Sequence, residues 1–445
     1  MHDLRKKALL ESGKTVSRKA RTRPDSKAGT PITSPSHSPH ASRNVSRAGS
    51  RYASEDEGSG DSDLDDVMTL STYSGSDHGA DDSGNIPNDR AWAERLQARV
   101  SQIVLGGRSG ERKKISNAER EDMLKSYLHL IRHYYGQSEI QSSMNDLVTG
   151  LMRAVRFGVS ASERTLALKA LAVTILTNPT DTVLSDHVTT LKSIVEQEDE
   201  EEEVKVAALY SLATAAMYGD GSTEAAEDML QYMIEIVESD GHTVNSPDAA
   251  GVVVAALKSW GFIAAHLEDL SEQSEQAMEA FVEQLDSTDA YVQTAAGENI
   301  ALLFETAREM EEESGEKMNF QYDPKKLAQQ MRDISKGSKS ISKRDRRHLK
   351  GDFSSIATGL ERGKGPGYST AGRPASNPNK GGSVTNSAHG DDVNEFGYRQ
   401  TIFVGKEKIT IDSWAFSNKV DFVRIVLAGG FPTHLAKNDT VQEML

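Results

Sequence analysis

The sequence predicts a mostly α-helical chain folded as an armadillo- or HEAT-like α-α superhelix, with a small C-terminal α+β domain of hairpin plus helices and a disordered N-terminal arm. Three observations carry that prediction. A short pattern of Ala, a large apolar residue or Gly, two free positions, a large apolar residue, then Ala or Gly occurs four times. The copies are ALKALA (Ala167 to Ala172), ALYSLA (Ala208 to Ala213), ALKSWG (Ala256 to Gly261) and AGENIA (Ala296 to Ala301). Their fifth positions, Leu171, Leu212, Trp260 and Ile300, are 41, 48 and 40 residues apart, inside the range of helical-pair repeats. A second apolar pattern lies about twenty residues upstream of each copy: LMRAV from Leu151, LKSIV from Leu191, MIEIV from Met233 and FVEQL from Phe281. Finally, the small residues of the first pattern suit close backbone approach, so each unit reads as two amphipathic helices that bury their apolar faces by stacking on neighbours.

Residues 1 to 85 are rich in Ser, Pro, Gly and charge, with too few apolar residues to offset the entropy of ordering, and are predicted to be disordered. Arg5, Lys6 and Lys7 stand ten residues before Arg18, Lys19 and Arg21, the layout of a bipartite import signal; a solvated basic arm that touches RNA fits the same residues. Thr30-Pro31, Ser34-Pro35 and Ser38-Pro39 suit proline-directed phosphorylation, and the run from Ser54 to Asp66 suits acid-directed kinases. Each phosphate would add roughly −1.5 to −2 charge and weaken the hold of the arm on a polyanion.

The helical-repeat domain is predicted over 86–361. Trp92, Leu96, Val100 and Ile103 fall at helical spacing, and a second helix opens at a Ser116/Glu119 capping box and runs to a stop at Gly136. Ser160 with Glu163 forms a second box, and Ser246-Pro247 a cap with an N1 proline before the second helix of the third unit. Seven of the eight residues from Glu196 to Glu203 are acidic, at the turn of the second unit. Such a run is a solvated loop or an acidic lip for a basic peptide. Residues 362–397 form a Gly/Ser-rich flexible linker, and 398–445 the small C-terminal domain. There TIFVGKEKITID reads as a hairpin, followed by a helix capped by Asp412 or Ser413 and ended by Gly429-Gly430, with Trp414, Phe422 and Leu427 as core.

Charge is distributed unevenly. The chain carries −16 overall, but residues 116–316 hold 38 acids against 11 Lys and Arg, while 317–380 hold 15 Lys and Arg against 5 acids. An acidic body joined to a basic segment points to macromolecular partners of opposite charge. The basic segment contains Lys336, Lys339, Lys343, Arg344, Arg346, Arg347 and Lys350, the candidate nucleic-acid contacts. On a helix opened by Ser342, Lys343, Arg346, Arg347 and Lys350 share one face, and Phe353, Ile356 and Leu360 would dock the helix on the repeats. Arginine forks suit phosphate, but no aromatic interleaves the cations, so base readout is not expected. A solvated face, or an intramolecular partner for the acidic lip, explains the same residues.

The chain also resembles a known family. AYVQTAAGENIALLFETARE, Ala290 to Glu309, is similar to the most characteristic stretch of the interferon-related developmental regulators. The segment from Lys336 to Ile356 is similar to their basic segment ending in Phe-x-x-Ile, and Ile409 to Asp439, with Ile411-Asp412-Ser413-Trp414, Gly430-Phe431, His434-Leu435 and Asn438, to their C-terminal domain. The resemblance spans about 90–361 and 398–445, with a longer linker than the family pattern. It implies a regulator of gene expression, through translationally inactive ribosomes or through transcriptional co-repression with histone deacetylase complexes.

Little supports catalysis. There is no cysteine, which excludes disulfides, thiolate zinc sites and Cys nucleophiles. The 12 histidines include no HExxH, and GLERGKG, Gly359 to Gly365, has three residues between its glycines where a phosphate loop needs four, with no Ser or Thr after Lys364. The N-terminus lacks the apolar run of a signal peptide, and no apolar stretch reaches spanning length. The expectation is a monomeric, non-enzymatic binding protein of cytoplasm and nucleus, without cofactor, metal, small-molecule substrate or membrane. Its partner is the ribosome and rRNA, or else chromatin co-regulator proteins. A transport receptor for basic peptides would want a ladder of Trp with Asn four residues on, which only Trp414 and Asn418 supply.

Overall fold

A computed structural model describes residues 91–106, 115–219, 222–315, 317–318, 320–337, 343–368, 398, 400–404 and 407–445. All of these fall in one compact unit spanning 62–445. The expected N-terminal arm lies outside the described residues, as does most of 362–397.

The chain is mostly helical and is built from consecutive helix pairs. Helix α1 (Ala91–Gly106) pairs with α2 (Asn117–His133). A short α3 (Gln137–Ile140) leads to α4 (Met144–Phe157), which pairs with α5 (Ala161–Thr177). Then come α6 (Val183–Val195) with α7 (Glu202–Tyr218), α8 (Thr223–Glu238) with α9 (Ala250–Ala264), α10 (Ser271–Gln284) with α11 (Ala290–Ser314), and α12 (Pro324–Gly337) with α13 (Lys343–Arg362). The second helices touch in sequence, α2 on α5, then α7, α9, α11 and α13. Each copy of the ALxxLA-type pattern lies on one of them, and all four fifth-position residues, Leu171, Leu212, Trp260 and Ile300, are 0% exposed. The basic helix is thus the second member of a sixth pair.

Side chains cross-link successive second helices as well as packing between them. Tyr127 of α2 shares a 2.7 Å hydrogen bond with Thr174 of α5, Ser211 Oγ of α7 donates to Leu168 O at 3.0 Å, and Asn299 Nδ2 of α11 donates to Leu257 O of α9 at 2.9 Å. Buried donors of this kind must be satisfied, and here the neighbouring unit satisfies them. The glycine in AGENIA has a steric cause. A Cβ on Gly297 would lie 3.0 Å from Ile356 Cδ1 and 3.2 Å from Phe353 Cε1, so its absence lets α13 seat on α11.

Local signals held in part. Ser116 and Glu119 form the full capping box. Ser160 Oγ accepts from Glu163 N at 3.1 Å, but the Glu163 carboxylate does not close a box; it accepts from Val159 N and pairs with Arg120 at 2.9 Å, where both are buried. Ser246-Pro247 does not open α9, which starts at Ala250 with Ala249 as its cap residue. Ser246 Oγ instead accepts from the buried Lys205 Nζ at 2.8 Å, and Glu202 of α7 accepts from Gly251 N at 3.0 Å. Gly136 does not end α2, whose C-cap is Tyr134; it precedes α3.

The C-terminal residues form strands β1 (Thr401–Val404) and β2 (Glu407–Thr410), paired antiparallel with Ile402 opposite Ile409. Helices α14 (Trp414–Leu427), α15 (Phe431–Lys437) and α16 (Asp439–Met444) follow. Ser413 Oγ caps α14, accepting from Phe416 N, and α14 ends at Leu427, before Ala428 at φ 46°. These helices lie along the row of second helices: α14 on α11, α9 and α5, α15 on α2, and α16 on α5. Trp414, Phe422 and Leu427 are buried, within the cluster that also holds the core of the repeats. Tyr368 and Tyr398, at the two ends of the linker stretch, form an antiparallel bridge with their rings 5.4 Å apart.

Candidate functional site

Two surfaces bear on function, the basic helix pair and the covered row of second helices. In the first, Leu327, Ala328 and Met331 of α12 and Leu349, Phe353, Ile356, Ala357 and Leu360 of α13 are buried, at the spacings that put them on single helix faces. A guanidinium fork from Arg332 to both oxygens of Glu361, the second contact at 2.7 Å, ties the two helices together and holds the Glu361 carboxyl below its ordinary range. Beside the docking face, Arg346 is half-buried and Lys350 is exposed. Lys336, exposed near the end of α12, contacts Asp333 at 3.2 Å. Lys343, Arg344 and Arg347 lie on α13, but their side chains, like the whole of Lys339, are outside the described residues. The proposed import-signal residues Arg5, Lys6, Lys7, Arg18, Lys19 and Arg21 are also outside them. Of the expected cluster, the structure therefore places Lys336, Arg346 and Lys350 on one helix pair.

The acidic turn is less open than the sequence suggests. Glu200 is bound to Arg164, Glu202 caps Gly251, and Glu196 O accepts from Asn245 Nδ2 at 2.7 Å. Glu198, Asp199, Glu201 and Glu203 remain exposed.

The second surface is one that pattern reasoning did not foresee. Glu305 of α11 accepts from Trp414 N and Ala415 N, each at 2.9 Å, placing a carboxylate on the first turn of α14 where the helix dipole favours it. Trp414 Nε1 donates to Lys364 O at 3.1 Å. Further along, Phe422 stacks on Phe262 of α9 and meets the edge of Tyr210 of α7. Lys258 of α9 bonds Glu298 of α11 at 2.5 Å and lies 3.9 Å from Asp421 of α14. Burial opposes the charge on Lys258, but Glu298 and Asp421 hold its pKa above the ordinary value. Burial, then Glu298 and Asp421, push the Asp352 carboxyl of α13 up to about 7, against the pull of Lys258.

At the far end Arg132 Nε donates to Val426 O at 3.1 Å, and His434 Nε2 donates to Ile131 O at 2.9 Å. His434 Nδ1 then accepts from Asn438 Nδ2, which also reaches Leu176 O at 3.0 Å. Burial depresses the His434 pKa, consistent with a neutral ring in this network. The four charged partners Lys258, Glu298, Asp352 and Asp421 come from four helices. Only their opposite charges and apolar settings could have hinted at the contact.

Among the described residues no group of His, Asp and Glu could hold a metal ion, and no helix is long and apolar enough to cross a membrane.

A family model described as Interferon-related developmental regulator matches residues 68–361, ending within the last turn of α13. The chain is 27% identical over 407 residues to an uncharacterized protein of Schizosaccharomyces pombe, an alignment covering 86% of this chain and 82% of that protein. It is 23% identical over 210 residues to interferon-related developmental regulator 1 of Sus scrofa, covering 46% of this chain and 38% of the pig protein.

Proposed function

The chain belongs to the interferon-related developmental regulator family, and from that premise we propose that it is a non-enzymatic regulator of gene expression that acts by binding the ribosome. The stacked pairs are read as an armadillo- or HEAT-like superhelix that serves as a frame for contact surfaces. One observation carries the ribosomal reading. Helix α13 is anchored by Leu349, Phe353 and Ile356, while Arg346 and Lys350 sit beside that anchor in a basic segment that follows the acidic repeats. Cations carried on an anchored helix can address phosphates without sequence readout. If about six phosphates are neutralised, binding falls steeply between 50 and 200 mM salt.

The transport-receptor reading is disfavoured, because α14 and α15 already cover second helices along which a peptide would have to lie. The exposed acids Glu198, Asp199, Glu201 and Glu203 favour a second reading, a nuclear scaffold for basic co-regulator proteins.

Sucrose-gradient sedimentation with and without RNase tests the proposal. The wild-type chain should travel with ribosomal particles, and replacing Arg344, Arg346 and Arg347 with Glu should move it to the light fractions with its helicity unchanged. Co-sedimentation that survives the triple change would overturn the ribosomal reading and favour the chromatin one.

A further inference from the structure

We propose that the pocket between the C-terminal end of α4, the start of α5 and helix α6 binds a phosphate monoester carried on a basic peptide segment. The pocket holds about 320 Å³; Arg156, Arg164, Thr189, Thr190, Ser193 and Gln197 line it together with the apolar Ile194, and no carboxylate is among the lining residues, although Glu200 pairs with Arg164 from outside. That is unusual in a region where acids outnumber bases more than threefold, 38 to 11 over residues 116–316.

The Arg164 guanidinium is pre-oriented. Arg164 Nε donates to Val155 O at 3.0 Å and Nη1 is held by Glu200, which leaves Nη2 without an acceptor among the described residues. Arg156, which is exposed, donates from Nη2 to Thr190 Oγ1, and among the described residues its Nε and Nη1 have no acceptor. A guanidinium already held, as that of Arg164 is, loses little entropy on binding, and forked N–H donors match the oxygens of a phosphate. The hydroxyls of Thr189 and Ser193 and the Gln197 amide add neutral donors.

The surroundings choose how that phosphate is presented. Glu196, Glu198, Asp199 and Glu201 are exposed along the adjoining turn. A nucleic-acid strand would bring further phosphates against these acids, whereas lysines or arginines flanking a phosphoserine or phosphothreonine would pair with them. The site uses residues distinct from the α13 cations, so each proposal can fail without the other.

Fluorescence anisotropy of the full chain with a labelled synthetic peptide, one phosphoserine between arginines, tests it. The phosphopeptide should bind at least about tenfold tighter than its unphosphorylated twin, the loss expected for a charge-assisted pair. Arg156→Glu should abolish that preference; because Arg156 is exposed, the melting temperature should hold, and Arg156→Gln repeats the comparison if it does not. Replacing the flanking arginines with glutamates should weaken binding further. Equal binding of the two peptides, a preference that persists in both Arg156 variants, or equally effective Arg156-dependent competition by single-stranded RNA would overturn the proposal.

Discussion

Phe422 lies flat on Phe262, with ring centroids 3.8 Å apart and planes 9° from parallel, and so joins α14 to α9, the fourth of the stacked second helices. Both rings are essentially inaccessible, at 1% exposure each. Neither ring could reach that state without the other, because each forms part of the wall that excludes water from its partner.

Phe422→Ala should therefore destabilise the whole chain by about 3–5 kcal/mol, the usual cost of emptying a large aromatic site. Thermal melting by circular dichroism checks this. A separate low-temperature transition for the C-terminal residues, with the main transition unmoved, would contradict the shared core.

Gly261 packs where α9, α11 and α14 meet. A Cβ there would lie 2.4 Å from Asn299 Oδ1 and 2.5 Å from Asn418 Oδ1, too close for either amide to remain in place. Gly261→Ala, which helix propensity alone would favour by about 1 kcal/mol, should instead lower stability by roughly 1–3 kcal/mol through overpacking. A rise in melting temperature would show that the contact yields freely.

Asp352 sets a pH dependence. Its folded-state pKa is raised to about 7 by burial and by Glu298 and Asp421, so from about pH 4 to pH 7 the folded chain binds more protons than the unfolded one. Its effect on stability thus becomes more unfavourable as pH rises through that window and is constant above it. Asp352→Asn should change little near pH 4 and stabilise by on the order of 1–2 kcal/mol at pH 8, after screening at a partly exposed site. Melting curves of both proteins from pH 4 to 8 would read the difference; a gap independent of pH would refute it.

The bridge between Tyr368 and Tyr398 brings the two ends of the linker stretch together. Replacing residues 371–396 with a short Gly/Ser turn should leave the C-terminal helices docked and raise stability by roughly 1 kcal/mol, since closing a shorter loop costs less entropy. A fall of several degrees in melting temperature would mean that the stretch contributes contacts of its own.

The repeat spacing was legible because packing imposes it: Leu171, Leu212, Trp260 and Ile300 recur where a buried face must recur. The last pair was half legible, since Phe353, Ile356 and Leu360 announce an anchored α13, while α12 offers only Leu327, Ala328, Met331 and Ile334 among polar residues, too short a stripe to mark a helix by periodicity. Capping signals misled at Ser246, where a buried lysine from the preceding unit took the hydroxyl that a helix start would have used. The basic cluster was named from the sequence, and the structure places Lys336, Arg346 and Lys350 of it on one helix pair, the last two beside an anchored face.

The sequence by itself determined that helices would form, how they would pair, and where charge of each sign would collect, since periodicity and composition act over neighbouring residues. The tertiary structure decided that α14 to α16 would cover the second helices, that Glu305 would hold the start of α14, and that Lys258 would face acids from three other helices. Those contacts join residues far apart in the chain, and their energies depend on burial and distance. Neither quantity exists until the pairs have stacked.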